Sequence, residues 1–454
     1  MIGINKIFRY AIPILGVAII TLYSLEQFAF VYTILAVFIF IATAGLVLYN
    51  QTYLVIVILV GSVIPFKAGL SFGHFVLLLY SGIILIRVII EHKLHFYSKP
   101  AAILLISLLA LAMMTVGKWT NIKAGLLGTI QLVITPILLI VLLNSRECKV
   151  NLTHVLQKGF PLLAVILSLS TFFVMIEKMQ LNVSLGLDIM GFHNIEVLNT
   201  PSNRLAGLLA FLALCIYTTR NILDKRRVIS SLNYAIITTA LVLSFLIISR
   251  GAILSLICGI AIIIFGQLVF NNRSKILKIS LIFAVIISLL RPFWEMFYFR
   301  ISNIKVDLSH LYRLAMWWDS LMKIKMGPII GSGPGQYLFN NFTNRTNDPH
   351  NMFLRYGVEL GGVSIIILIA LMVLPILYLL RLRKRNEELF KEYFIEFTPP
   401  LVAALFHSQI DIIITSPSYG LVFWVFWGIA VRKVAKASVD NMDVPVNLYM
   451  TNNA

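Results

Sequence analysis

The sequence predicts an all-α polytopic membrane protein, one transmembrane domain over residues 1–454 with about 12–14 transmembrane helices. Three observations predict it. Of 454 residues, 59% are hydrophobic and only 12% charged, at a mean hydropathy of +0.92, which is more apolar surface than soluble cores enclose. Apolar runs repeatedly approach the roughly 20 residues that a helix needs to cross a bilayer. The net charge of +18 collects between alternate runs, a topology signal rather than a nucleic-acid footprint.

In chain order the expected spans are 9–24, 28–48, 52–66, 73–90, 100–117, 125–144, 159–177, 204–220, 229–248, 251–270, 277–290, 358–380, 396–411 and 417–432. Lys6 and Arg9 precede the first of them, and no small-residue cleavage pattern follows it, so it reads as a retained span. If the N-terminus is cytoplasmic, the inner connections hold most of the 37 Lys and Arg, including Lys225, Arg226 and Arg227 and the run Arg381, Arg383, Lys384 and Arg385. Both termini therefore belong inside. Cys148, Cys215 and Cys258 are an odd number without CxxC spacing and imply neither a disulfide framework nor a zinc site.

Residues 291–357 form the outer loop between the eleventh and twelfth spans. They carry eight basic residues, from Arg291 to Arg355, against only Glu295, Asp307, Asp319 and Asp348. Long loops are translocated whatever their charge, but an outward-facing anion site explains the same excess. Arg204 and Arg250 favour the second account, because they sit at span ends outside this loop, where a charge is costly unless paired or hydrated. An arginine there also snorkels to outer headgroups.

Within the loop, SHLYRLAMWWDSLMKIK (309–325) spaces Leu311, Leu314, Ala315, Trp318 and Met322 as one helical face, with Ser309 as N-cap, and predicts an interfacial helix. Arg313 and Trp317 fall on another face, where Arg313 is placed to meet a headgroup or sugar phosphate. The glycines of GPIIGSGPG (327–335) suit a structural turn; the GK[ST] ending of a Walker loop is missing.

In NDPHNMFLRYGVELGG (347–362), Asp348 is expected to cap a helix, Pro349 to take its first position, and His350 and Asn351 to fall in its first turn. The positive end of a helix disfavours an imidazolium and would keep His350 ready to accept a proton. Further on, His407 and Asp411 stand four apart on one expected helical face, as interhelical packing or support behind the outer pocket. Two such ligands do not make a metal site. Glu359 is placed to orient a basic side chain or bridge two helices.

Arg204-Leu-Ala-Gly, Ser249-Arg250-Gly251-Ala252, Arg313 with Trp317 and Trp318, Gly331-Ser-Gly333-Pro-Gly335, and His350-Asn351 followed by Glu359-Leu-Gly361-Gly362 occur in one order. That order resembles the O-antigen ligase and O-antigen polymerase superfamily of bacterial envelope glycosyltransferases, over residues 200 to about 432. The resemblance implies a GT-C-like, metal-independent inverting enzyme of the bacterial inner membrane that uses no cofactor. Its active site would face the periplasm. Its partners would be an undecaprenyl-diphosphate-linked glycan donor, membrane lipids, and as acceptor either a lipid A core or a second lipid-linked glycan; nucleic acid would not be one. His350 matches the proposed catalytic histidine, Arg250 the phosphate-binding arginine, and Arg204 and Arg313 further basic positions. Asn351, Glu359 and Asp411 are candidate supporting residues.

The residues themselves are compatible with that chemistry. Arginines offer bidentate donors to the phosphate oxygens of a departing diphosphate, and a histidine takes the proton of an attacking hydroxyl. A flippase for lipid-linked sugars is the rival. Transporters, however, tend to gather polar residues at the midplane, often in repeated halves, whereas the unusual charges here lie at outer span ends.

Overall fold

The structure is a computed structural model that describes residues 51–65, 70–78, 80, 96–144, 150–184, 196–198, 200–219, 227–247, 249–270, 308–340, 345–346, 348–411 and 414–440. The expected spans 9–24, 28–48 and 277–290, most of 73–90, and residues 291–307 of the outer loop lie outside them.

Helices form where apolar runs follow a capping residue. After α1 (Gln51–Gly61), Ser98 caps α2 (Lys99–Met114), accepting from the Ala101 amide at 3.3 Å. Asn121 caps α3, which begins as Ile122–Thr129, passes through a π-helical turn at Ile130–Ile134 and continues as Thr135–Asn144. Asn151 caps α4, which runs from Leu152–His154 through a second π turn at Val155–Gly159 into Phe160–Ser184. The short hairpin of β1 (Glu196–Val197) and β2 (Thr200–Pro201) leads into α5 (Ser202–Thr219). Then come α6 (Arg227–Leu246) and α7 (Arg250–Val269), the latter capped by Ser249.

Residues 291–357 contribute α8 (Leu308–Met326) and a second hairpin, β3 (Phe339–Asn340) with β4 (Arg345–Thr346). Helices α9 (Met352–Leu360), α10 (Gly362–Arg383), α11 (Glu387–His407) and α12 (Pro417–Asp440) complete the described chain. Helix α8 begins at Leu308, so Ser309 lies inside its first turn rather than capping it.

Helices α2, α3, α4, α5, α7 and α10 are long and apolar enough to cross a membrane, and α1 and Ser231–Leu246 are shorter apolar helices. The chain is a multi-pass all-α membrane protein. Among lipids no hydrophobic force drives helices together, so association depends on close packing. Helix α7 meets α5 and α11 closely at Gly259, where a Cβ would stand 2.6 Å from a Leu214 methyl and 3.2 Å from Ala403. Helix α12 lies at the centre against α10 and α3. Its Phe423, Trp424, Phe426 and Trp427 are fully buried, with Phe426 edge-on to Phe160 and Phe211.

The stretch 347–362 does not run on as one helix into the twelfth span. Gly361 adopts φ +99°, a conformation that L side chains rarely take, which ends α9 before α10 begins. Nor do His407 and Asp411 share a helical face. Helix α11 stops at His407, and Asp411 lies in the loop beyond, its amide donating back to the His407 carbonyl at 2.9 Å.

Candidate active site

The site is built on the loop ahead of α9. Asp348 does not cap that helix. Its Oδ1 instead accepts from the His350 amide at 2.8 Å, closing a tight turn over Pro349. Asn351 is the cap, its side-chain oxygen accepting from the Leu354 amide at 3.1 Å. His350 therefore stands outside the helix, at φ +51°, a left-handed backbone that non-glycine residues adopt at a cost. Three contacts hold the loop in place. Trp317 of α8 donates its indole N–H to the Pro349 carbonyl at 3.0 Å, the Met352 amide donates to the Ser408 carbonyl at 2.9 Å, and the Asn351 amide group donates to the Gln409 carbonyl at 3.2 Å.

These contacts bring the His350 ring to the loop between α11 and α12. Its Nδ1 lies 3.3 Å from Oδ1 of Asp411. The same carboxylate oxygen is 3.7 Å from Nε of Arg204, whose Nη2 reaches Oδ2 of Asp348 at 3.5 Å. Asp411 is only 6% exposed. Burial pushes its carboxyl up, but the His350 hydrogen bond and the Arg204 charge outweigh burial and hold it well below the ordinary carboxylate range. In the tautomer with its proton on Nδ1, the His350 ring donates that proton to Asp411 and leaves Nε2 as an acceptor. A carboxylate, rather than the end of a helix, thus fixes the ring.

Of the residues expected at the site, the structure brings together Arg204, His350 and Asp411, and adds Asp348, which the sequence suggested only as a cap. Arg313 lies one helical turn before Trp317 on the same face of α8, hence near the His350 loop. Arg250 opens α7 beside Gly251, which packs on the His407 ring and Ile410. That places it at the same end of the bundle as Arg204. His407 is wedged between Gly207 of α5 and Gly251 of α7 and packs against them.

Asn351 supports the cluster through the loop it caps, and Glu359 stands farther along α9. Glu359 is fully buried, accepting from the Arg355 Nε at 3.3 Å through Oε1 and from the Gly335 amide at 2.7 Å through Oε2. The Ser332 and Gly333 amides donate to the Val358 and Glu359 carbonyls, so the glycine-rich turn is stitched to the end of α9. Arg355 in turn donates to Thr415 Oγ1 at 3.0 Å. Arg355 and Thr415 were not singled out from the sequence as site-building residues, although an arginine midway along an amphipathic segment was a signal for the first; Trp317 was singled out beside Arg313, but not its bond to the Pro349 carbonyl.

On α8 the expected apolar face is exposed, with Leu311 59% and Trp318 64% accessible, while Met316 and Ser320 on the other side are buried. Among the described residues no three His, Cys, Asp or Glu side chains gather as metal ligands.

Most of α6 and all of α7, α8 and α9, with Arg250, Arg313, His350, Asn351 and Glu359, fall in one continuous stretch with a counterpart among known families. Residues 234–369 match the O-antigen ligase family. The match supports the resemblance to the O-antigen ligase and polymerase superfamily that the motif order carries. It spans less than a third of the chain and leaves Arg204 and Asp411 outside the matched O-antigen ligase stretch. No curated protein matches the chain.

Proposed function

We propose that this protein transfers a glycan from undecaprenyl diphosphate to an acceptor hydroxyl, with inversion at the sugar C1 and without a metal. The observation that carries the reading is the His350–Asp411 pair set beside Arg204, with His350 inside the segment that matches O-antigen ligases. His350 Nε2 takes the acceptor O–H proton as the oxygen attacks C1. The C1–O bond to the diphosphate breaks, its electron pair leaves on the phosphate oxygen, and undecaprenyl diphosphate departs. Arg250 and Arg313, with the N–H donors of Arg204 beyond its two carboxylate contacts, stabilise that developing charge. The acceptor is a lipid A core sugar for a ligase or a second lipid-linked repeat for a polymerase. In this reading the protein lies in the inner membrane with both termini cytoplasmic, and residues 291–357 form its periplasmic catalytic loop.

The test is a reconstituted assay with an undecaprenyl-diphosphate-linked donor. His350→Ala and Arg250→Ala are each expected to insert at normal abundance and form no new glycosidic bond. Wild-type turnover in both variants removes the reading, and a flippase would move labelled donor across vesicles without forming product.

A further inference from the structure

Arg204 borders a second feature. A pocket open to solvent lies beside it, lined among others by the hydroxyl-bearing residues Ser62, Ser71, Thr200, Ser416 and Ser418. We propose that this cavity binds one saccharide residue of the glycan that the enzyme handles, a reading that rests on the glycosyl transfer inferred above.

The wall follows from how helices begin. Ser71 immediately precedes the helical residues 72–78, and its carbonyl accepts from the His74 amide at 3.0 Å. Ser416 immediately precedes α12, with its carbonyl accepting from the Gly420 amide at 2.9 Å. Thr200 sits two residues ahead of α5, in β2. Hydroxyl residues are favoured where helices start, and here three starts converge on one space, so that residues chosen for local structure line a common pocket.

The chemistry suits a sugar better than a phosphate. Ser62 donates to the Leu59 carbonyl at 2.6 Å and keeps its lone pairs as acceptors, while Thr200 and Ser418 share a hydrogen bond at 3.2 Å. A saccharide hydroxyl both donates and accepts, matching such a wall, and Pro65, Pro201 and Pro417 supply apolar surface for its C–H face. Arg204 is the one ionisable residue among the described lining, and its charge is already shared with Asp348 and Asp411. A diphosphate would find too little positive charge there.

Position adds a second argument. All the lining residues lie outside 234–369. Arg250, Arg313 and His350 belong to the matched stretch, whereas this pocket is built from parts of the chain that the family match does not cover. Through Arg204 it adjoins the His350 cluster, as a subsite that reads glycan identity should.

The probe is the phosphate-free oligosaccharide released by mild acid from the lipid-linked donor of the same cells, offered to the full-length protein in nanodiscs and followed by saturation-transfer NMR. Wild type is expected to bind it. Thr200→Val with Ser418→Ala, which keeps shape but removes both hydroxyls, should weaken binding about tenfold, while inorganic pyrophosphate binds that variant as it binds wild type. Ser62→Leu, which fills the space, should abolish oligosaccharide binding if it folds. Absence of oligosaccharide binding to wild type, or equal binding to the double variant, overturns the proposal. Preloading with intact donor separates the sources: an oligosaccharide still bound marks an acceptor subsite, and one displaced marks a donor subsite. Failure of glycosyl transfer by wild type, with oligosaccharide binding intact, would overturn the enzymatic reading and leave the sugar site standing.

Discussion

Asp411 is a buried carboxylate beside the Arg204 guanidinium and the His350 imidazole, and each constrains the other. If its task is to hold His350 in the tautomer with Nε2 unprotonated, Asp411→Asn keeps the shape and removes that preference. Its kcat is expected to fall by about 10²–10⁴-fold, the range of a lost general base, with little change in donor KM and normal abundance. An unchanged kcat in steady-state assays would assign the pair to structure alone. A carboxyl whose pKa is depressed on folding stabilises the fold fully above its unfolded pKa of about 3.9, and that contribution fades as pH falls toward the folded value. The thermal-midpoint gap between wild type and Asp411→Asn should accordingly stay flat from pH 6 to 8 and narrow below about pH 4. That Arg204 and His350 matter together was legible because both interrupt or border apolar runs, and the structure places both at Asp411. The pairing with Asp411 was not legible. Asp411 is 61 residues from His350, and the four-residue spacing to His407 pointed to a helical face that the chain does not form.

At the scale of elements, the break at Gly361 decides where α9 ends. A Cβ there would collide with the Ile329 carbonyl oxygen, and φ +99° is strained for any L side chain. Gly361→Ala is expected to cost more than about 1 kcal/mol, seen as a lower thermal midpoint and lower abundance. If the midpoint holds, the joint is not needed. Most helices were legible because apolar runs bounded by Ser or Asn caps leave little choice, as for α2, α3 and α7. The start of α9 was misplaced by three residues. In NDPHN both Asp348 and Asn351 are competent caps, and only the tertiary bond from the Asn351 amide to Gln409 favours the second.

For the molecule as a whole, sidedness rests on basic residues counted between spans. In a variant freed of its native cysteines, Lys325→Cys on exposed α8 should react with a membrane-impermeant maleimide in spheroplasts, and Lys384→Cys, beyond α10, should react only after lysis. The reverse pattern would invert the proposed topology and place His350 on the cytosolic side. The membrane class was plain from hydropathy, since burial in lipid is a bulk property that composition reports directly. Helix packing was not, because in a bilayer it depends on side-chain fit at points such as Gly207 and Gly259 that carry no periodic signal.

The bared leucines and tryptophan of α8 have a kinetic implication. On the proposed function, a helix that rests on lipid through Leu311, Leu314 and Trp318, and is tied by Trp317 to the turn that bears His350, would keep that ring at headgroup depth. Reactants tethered to the bilayer then reach it by lateral diffusion in a thin sheet, and turnover should follow their number per lipid rather than their molarity in the surrounding water.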